Sequence, residues 1–272
     1  MATLTTQGIS LYYELHGNPA NPPVLLIAGL GGVGTSWGPQ IERFAAKYHV
    51  IVPDQRGTGR TTRAADGYTT EQIAADMAAL VEHVGRGPVH VVGESTGGAI
   101  GQYMALNHAD TVRSLIMSST FARFDAYTER QFTVRRKVLA ESDRETVYNL
   151  YALFLFSPGH TREHPQKVQA WIDRVVAQPV GPQDLEIALK RNDMIMAHDT
   201  LAELGAITQP TLILCGDHDF CTPQQLSEEI AGAMPGAELV VLPGGGHLIE
   251  LEQEDEYFKI VSTFIDRQDA GE

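Results

Sequence analysis

VHVVGESTGG, residues Val89 to Gly98, is the stretch on which the fold turns. An apolar, β-branched run ends in a serine with glycine two places before it and two places after it. β-Branched residues favour a strand, and the residues after Ser95 read as a helix. A G-x-S-x-G sequence at such a boundary makes a sharp strand-to-helix turn in which bulky neighbours would clash, so both flanks are glycine. The turn lifts the hydroxyl above the sheet edge and aims the free N–H groups of the helix start at the same spot. Ser95 is therefore a candidate nucleophile, weighed against the plainer reading of a serine that ends a strand.

The same alternation extends outward. Residues 9–15 alternate and read as an early antiparallel strand, whereas 22–29, 48–54 and 88–94 are continuous apolar runs that read as buried strands. Between the last two, Ile73, Met77, Leu80, Val81 and Val84 fall on one helical face, with Thr69 or Thr70 as N-cap and Gly85 as C-cap. VRSLIMSS, PTLILCG (210–216) and AELVVLPG (237–244) are further strands, and EDEYFKIVSTFIDRQ is a final helix. Strands that alternate with helices predict an α/β fold with a mostly parallel sheet covered on both faces. The segment 121–207 breaks the rhythm with three helical stretches (137–156, 164–178 and 184–198) and no convincing strand. The expected organisation is an α/β core formed by 1–120 and 208–272, interrupted by a helical insertion at 121–207.

Composition sets limits on partners. The 272 residues are 43% hydrophobic and 20% charged with a formal net charge of −14, an ordinary globular balance that argues against nucleic-acid binding, which needs a basic patch. No apolar run approaches the ~20 residues that span a bilayer, and no signal peptide is visible in MATLTTQGIS. A cytoplasmic protein that binds a small molecule as monomer or homodimer is expected. The spacing of Cys215 and Cys221 is neither C-x-x-C nor a zinc pattern, so both read as reduced structural thiols.

A serine nucleophile needs a base and the base an orienting acid. His247 follows Pro243-Gly244-Gly245-Gly246 just after a buried strand, where sites form in open α/β sheets. His90 lies in a strand pattern and His108 on a helix, so both read as structural. Asp217 and Asp219 share the loop after PTLILCG; Asp219 is the better acid and Asp217 the fallback. Asp217-His218-Asp219 lacks a third or fourth metal ligand nearby, so no metal or other cofactor is expected. Glu94 adjoins the serine, but the turn is expected to direct its side chain away.

The order Ser95, Asp219, His247 is the triad order of the α/β-hydrolases, and the chain resembles that superfamily over nearly its full length. The resemblance implies an eight-stranded, mostly parallel sheet with a helical cap inserted at 121–207. Ala28-Gly29-Leu30-Gly31-Gly32 with Trp37 downstream resembles the oxyanion loop, with Ala28 where histidine is usual; the resemblance implies oxyanion N–H groups from Leu30 and Thr96. Asp54-Gln55-Arg56-Gly57-Thr58-Gly59 resembles the D-x-R-G-x-G loop, read as a charged pair bracing that loop. G-D-H-D-x-x-T-P resembles the acid loop and implies Asp219 as the catalytic aspartate.

Within the superfamily the chain is most similar to the 3-oxoadipate enol-lactonases and the aminoacrylate hydrolases. The expected activity is hydrolysis of a carboxylic ester or lactone of a small, partly apolar molecule through an acyl-enzyme. Carbon–carbon cleavage of ring-fission products, perhydrolysis and a non-catalytic ligand receptor are the alternatives. Nine of the twenty aromatic residues lie between Phe121 and Trp171, which suggests an apolar pocket wall. Trp37, Phe121, Phe124, Phe154 and Leu248 are the candidate substrate contacts. The run Arg135-Arg136-Lys137 reads as a solvated face rather than a carboxylate site.

Overall fold

The computed structural model describes residues 2–271. Its strands are β1 (Ala2–Thr6), β2 (Ile9–His16), β3 (Pro23–Ile27), β4 (His49–Pro53), β5 (Val89–Glu94), β6 (Val112–Ser118), β7 (Thr211–Gly216) and β8 (Glu238–Leu242). They form one eight-stranded sheet in the order β1-β2-β4-β3-β5-β6-β7-β8. β1–β2 and β2–β4 pair antiparallel and every other pair is parallel. The helices are α1 (Gln40–Ala45), α2 (Thr70–Val84), α3 (Thr96–Asn107), α4 (Ala126–Glu141), α5 (Arg144–Leu155), α6 (Pro158–Glu163), α7 (Pro165–Val176), α8 (Asp184–Met196), α9 (Gln224–Ala233), α10 (Ile249–Glu252) and α11 (Glu254–Ala270).

Continuous apolar strands arise because successive side chains enter opposite cores. Leu25, Ile27, Ile51, Val91, Leu115, Met117 and Ile213 pack with α2 and α3 residues such as Met77 and Ile100. Their neighbours Val24, Leu26, Val50, Val92, Ile116 and Leu214 pack with Phe44, Tyr257 and Phe264 of α1 and α11. Each such side chain, fully withdrawn from water, contributes ~1.5–3 kcal/mol. The α2 face is buried as expected, Thr69 accepts from Gln72 N, and Gly85 ends the helix in the left-handed region at φ 67°.

Three features differ from the sequence expectation. Ala2–Thr6 carries only a short, polar alternation; it becomes β1 because positive φ at Gln7 (47°) and Gly8 (75°) folds it back on β2. The predicted helix at 137–156 is broken: Asp143 accepts from Thr146 N and starts α5 afresh, while α4 reaches back to a capping box at Asp125. A short helix, α6, also begins where Ser157 caps His160 N. The chain between β6 and β7 thus carries five α-helices and a short 3-10 turn at Leu204–Ala206, with a bridge between Arg123 and Asp199 across its entry and exit. Among the described residues no helix is long and apolar enough to cross a membrane.

Candidate active site

Ser95 joins β5 to α3 at φ 52°, ψ −117°, a conformation that strains any residue with a Cβ. The close packing around it requires the glycines. A Cβ on Gly97 would lie 2.0 Å from the Ile27 carbonyl oxygen, and one on Gly93 would lie 2.4 Å from Gly97. The turn is tied down by Ser95 N donating to Ser118 O (2.8 Å) and by Thr120 Oγ1 donating to Ser95 O (2.6 Å).

β5, β6, β7 and β8 are consecutive parallel neighbours, so their C-terminal ends share one edge of the sheet. Ser95, Asp219 and His247 follow β5, β7 and β8 at that edge. His247 Nδ1 lies 2.9 Å from Asp219 Oδ2, and both side chains are buried. Asp219 is saturated: Oδ1 accepts from Cys221 N and Thr222 N (both 2.8 Å), and Oδ2 also accepts from Thr222 Oγ1 at 2.9 Å. Asp217 is exposed and accepts from Gly244 N at 2.6 Å, bracing the loop that carries His247. Burial opposes a charged imidazole, yet the Asp219 carboxylate, with help from Cys221, holds His247 well above its ordinary value. Thr222, which touches both Asp219 and His247 Nδ1 (3.1 Å), is a site residue that sequence reasoning did not single out. Its only signal was its place in the acid-loop motif.

The expectation for Glu94 is overturned. Its carboxylate turns into the site, with Oε1 3.4 Å from His247 Nε2, while Ser95 Oγ makes no hydrogen bond to that nitrogen. Space for it exists because residue 29 is glycine: a Cβ there would lie 2.4 Å from Glu94 Oε2. Burial, with the Asp219 charge added, pushes the Glu94 carboxyl up to about 7, against the pull of His247. Burial and the neighbouring Glu94 likewise push Glu250 well above the usual range, and Glu250 Oε2 has no hydrogen-bond partner. Glu94→Gln should therefore act in two ways. Between the ordinary carboxyl value of 4.5 and about 7 the folded protein holds a proton that the unfolded chain has released, so wild-type stability falls as pH rises through that window. Melting curves should show the Gln variant unchanged below the window and more stable above it. Loss of the negative neighbour should also lower the acid limb of kcat/KM by about one pH unit. An unchanged pH profile would place Glu94 outside the reaction.

Leu30, which makes no backbone N–H hydrogen bond among the described residues, sits against this edge: a Cβ on the preceding Gly29 would lie 3.3 Å from Ser95 Cβ. Thr96 supplies the first N–H of α3, which has no carbonyl behind it to accept. The position usually held by histidine is Ala28, and Gln55 replaces the missing support: its Nε2 donates to Ala28 O (2.6 Å) and its Oε1 accepts from Arg191 Nη2 (2.6 Å). Arg191 of α8 also donates to Leu30 O (2.9 Å) and Arg56 O (3.3 Å). Burial pulls its guanidinium down to about 10. Asp54 and Arg56 do not pair with each other, contrary to expectation. Arg56 makes a two-pronged contact with Asp76 (2.9 and 2.8 Å), and Asp54 accepts from Arg60 and Gly34 N. The partners lie on α2 and beyond the loop, out of reach of local pattern reading.

The five candidate substrate contacts fall in different places. Trp37 is corrected to a core residue: it is buried with Tyr257 in the α1–α11 core, because the chain after the Ala28–Gly32 loop dives beneath the sheet edge. Phe121 and Phe124 stack edge to face at 4.7 Å, Phe124 continues to Phe132, and Phe154 packs against the same cluster. Leu248, next to His247, packs with Phe156 and Ile172 of the helical segment. That contact is locked by Glu252, which accepts from Ser157 N (2.7 Å) and Gly246 N (3.0 Å). Arg135 departs from the solvated-face reading: it is 4% exposed, while Arg136 pairs with Asp193 and Lys137 is exposed. Among the described residues no cluster of His, Cys, Asp and Glu is arranged to hold a metal.

The family model of the alpha/beta hydrolase fold matches residues 22–253. A relative from Azorhizobium caulinodans, whose name proposes a carbamate hydrolase, RutD, is 34% identical over 93% of this chain and 94% of its own length. Among solved structures, a thermophilic esterase from Thermogutta terrifontis superposes with a TM-score of 0.83 at 28% identity, covering 98% of this chain and 97% of the esterase. The enol-lactonase from Burkholderia xenovorans LB400 superposes with a TM-score of 0.87 at 24% identity, covering 97% and 100%; at that identity it speaks for the fold. With the family match spanning most of its length, the chain belongs to the α/β-hydrolase family, as a hydrolytic enzyme.

Proposed function

We propose that the protein is a serine hydrolase that cleaves a carboxylic ester or lactone of a small, partly apolar molecule through an acyl-enzyme. The observation that carries this reading is the buried Asp219–His247 pair beside a serine held at positive φ. Ser95 Oγ attacks the carbonyl carbon while His247 Nε2 takes its proton, and Asp219 holds the Nδ1–H tautomer and offsets the imidazolium charge. The N–H groups of Leu30 and Thr96 receive the oxyanion; one such donor is worth ~2.7–4 kcal/mol in the transition state. The imidazolium then protonates the leaving oxygen, and water, activated by the same histidine, releases the acid. In this reading Glu94, facing Nε2, further favours the imidazolium, and helices α4–α8 form a cap; Phe154 of α5, with Phe121 and Phe124 ahead of α4 and Leu248 beside His247, makes the apolar wall.

The relatives named for carbamate and ester substrates share one requirement, attack on an sp² carbonyl carbon, and this constellation is suited to that step. The test is to trap the intermediate. Wild-type protein quenched during turnover of p-nitrophenyl esters should carry one acyl group by mass spectrometry, on the peptide containing Ser95. Turnover that proceeds with no acyl group on that peptide would refute the covalent mechanism.

A further inference from the structure

Three arginines are almost fully buried: Arg56, Arg135 and Arg191. Arg56 is neutralised by Asp76, and each nitrogen of Arg191 donates to an oxygen. Arg135 has neither arrangement. Its Nη1 donates to Cys221 Sγ at 3.1 Å, its Nε has no partner, and no Asp or Glu pairs with it among the described residues. A thiol is a weak acceptor, and a buried cation without an anion costs several kcal/mol.

The guanidinium is held rather than loose. It lies over the rings of Phe132 (4.4 Å) and Tyr151 (4.2 Å), so aromatic surface takes its faces while its Nε–H is left without an acceptor. It also borders the catalytic machinery: the Cys221 it touches gives its backbone N–H to Asp219 Oδ1 (2.8 Å), and its thiol bears on His247. Fastening α4 to the acid loop does not need Arg135, because Gln131 Nε2 and Tyr127 Oη already donate to Phe220 O at 2.7 and 3.0 Å.

We propose that Arg135 is a carboxylate-recognition site within the substrate pocket, and that the natural substrate is an ester or lactone bearing one free carboxylate on an otherwise apolar body. The proposal rests on the serine-hydrolase reading above and gives it a substrate class. A planar carboxylate matches the guanidinium edge in two parallel hydrogen bonds. The aromatic surroundings lower the local dielectric and strengthen that pairing. They also leave little room for a second substrate charge.

The test compares p-nitrophenyl hydrogen glutarate with p-nitrophenyl valerate, acyl groups that differ by a terminal carboxylate in place of a methyl. Wild-type protein should favour the glutarate ester at least about tenfold in kcat/KM. Arg135→Gln should lose about 30-fold or more on it, mainly through KM, and stay within about threefold on valerate; Arg135→Lys should recover part of the loss. A wild-type preference for valerate, or equal losses on both esters, overturns the proposal and leaves Arg135 a packing residue. Calorimetric titration of wild-type protein with glutaramate, which carries one carboxylate, and with glutaramide, which carries none, separates the two readings. If neither ester is turned over, the ester-hydrolase reading fails, while binding of glutaramate but not glutaramide still upholds the carboxylate site. The same titration decides the matter if the Gln variant does not fold, and equal binding of the two compounds overturns the site.

Discussion

Ser95→Ala should reduce turnover of any ester the protein cleaves by at least about 10⁴-fold, because a nucleophile and its base act as a unit. The variant should fold normally. The Ser95 backbone already occupies φ 52° with a Cβ present, so alanine adds no strain. Ser95 Oγ makes no hydrogen bond among the described residues, so its removal orphans no partner. Ser95→Gly sharpens the test: glycine tolerates positive φ without cost, so this variant should melt higher than wild type and be equally inactive. A stability rise on removing a side chain is the signature of strain held for function. Near-wild-type esterase activity in a folded Ser95→Ala protein would remove the central claim.

The second large effect separates the two aspartates. Asp219→Asn should cost about 10⁴-fold in kcat, the scale seen when a triad acid becomes an amide and the histidine takes the wrong tautomer. Asparagine can accept with only one of the two atoms that now take three hydrogen bonds and the imidazole. The pH behaviour follows from the direction of the His247 shift. With its folded value raised, His247 contributes stability that is full below its unfolded value of 6.5 and is lost as pH rises through the folded one. As a base it must be neutral, so the acid limb of wild-type kcat/KM should lie above the ordinary imidazole value. Asp219→Asn should bring that limb down as well as reduce the rate. Asp217→Asn removes one exposed acceptor for Gly244 N and should cost under about 1.5 kcal/mol of stability and less than tenfold in activity. A crippled Asp217→Asn beside an active Asp219→Asn would reverse the assignment.

Glu94 and Arg135 show why a one-dimensional reading has a boundary. By local pattern the first is turned outward by the elbow and the second is part of a solvated basic run. Glu94 turns inward because the Ala28–Gly32 loop, sixty-five positions earlier, presents Gly29 to it. Arg135 turns inward because the acid loop, eighty-six positions later, presents Cys221. Neither partner is visible in a local window, because each contact forms only when strands distant in sequence become neighbours in the sheet.

What the sequence by itself determined are the features whose cause is local. Period and apolarity set seven of the eight strands, the cap residues Thr69 and Gly85 set α2, and the glycines around Ser95 set the elbow, since backbone sterics act over a few residues. The resemblance to the α/β-hydrolases followed from those local motifs taken in order. The break between α4 and α5 also has a local cause, the Asp143 cap, which helical periodicity passes over. Tertiary structure alone decided β1, which exists by pairing with β2. It alone decided that Gln55 and Arg191 support the loop where histidine is missing, and that Trp37 belongs to the core. It alone brought Glu94 up to the histidine and the unpaired Arg135 up to the acid loop. Burial and charge pairing depend on what lies across space, and the chain order does not encode that in any single stretch.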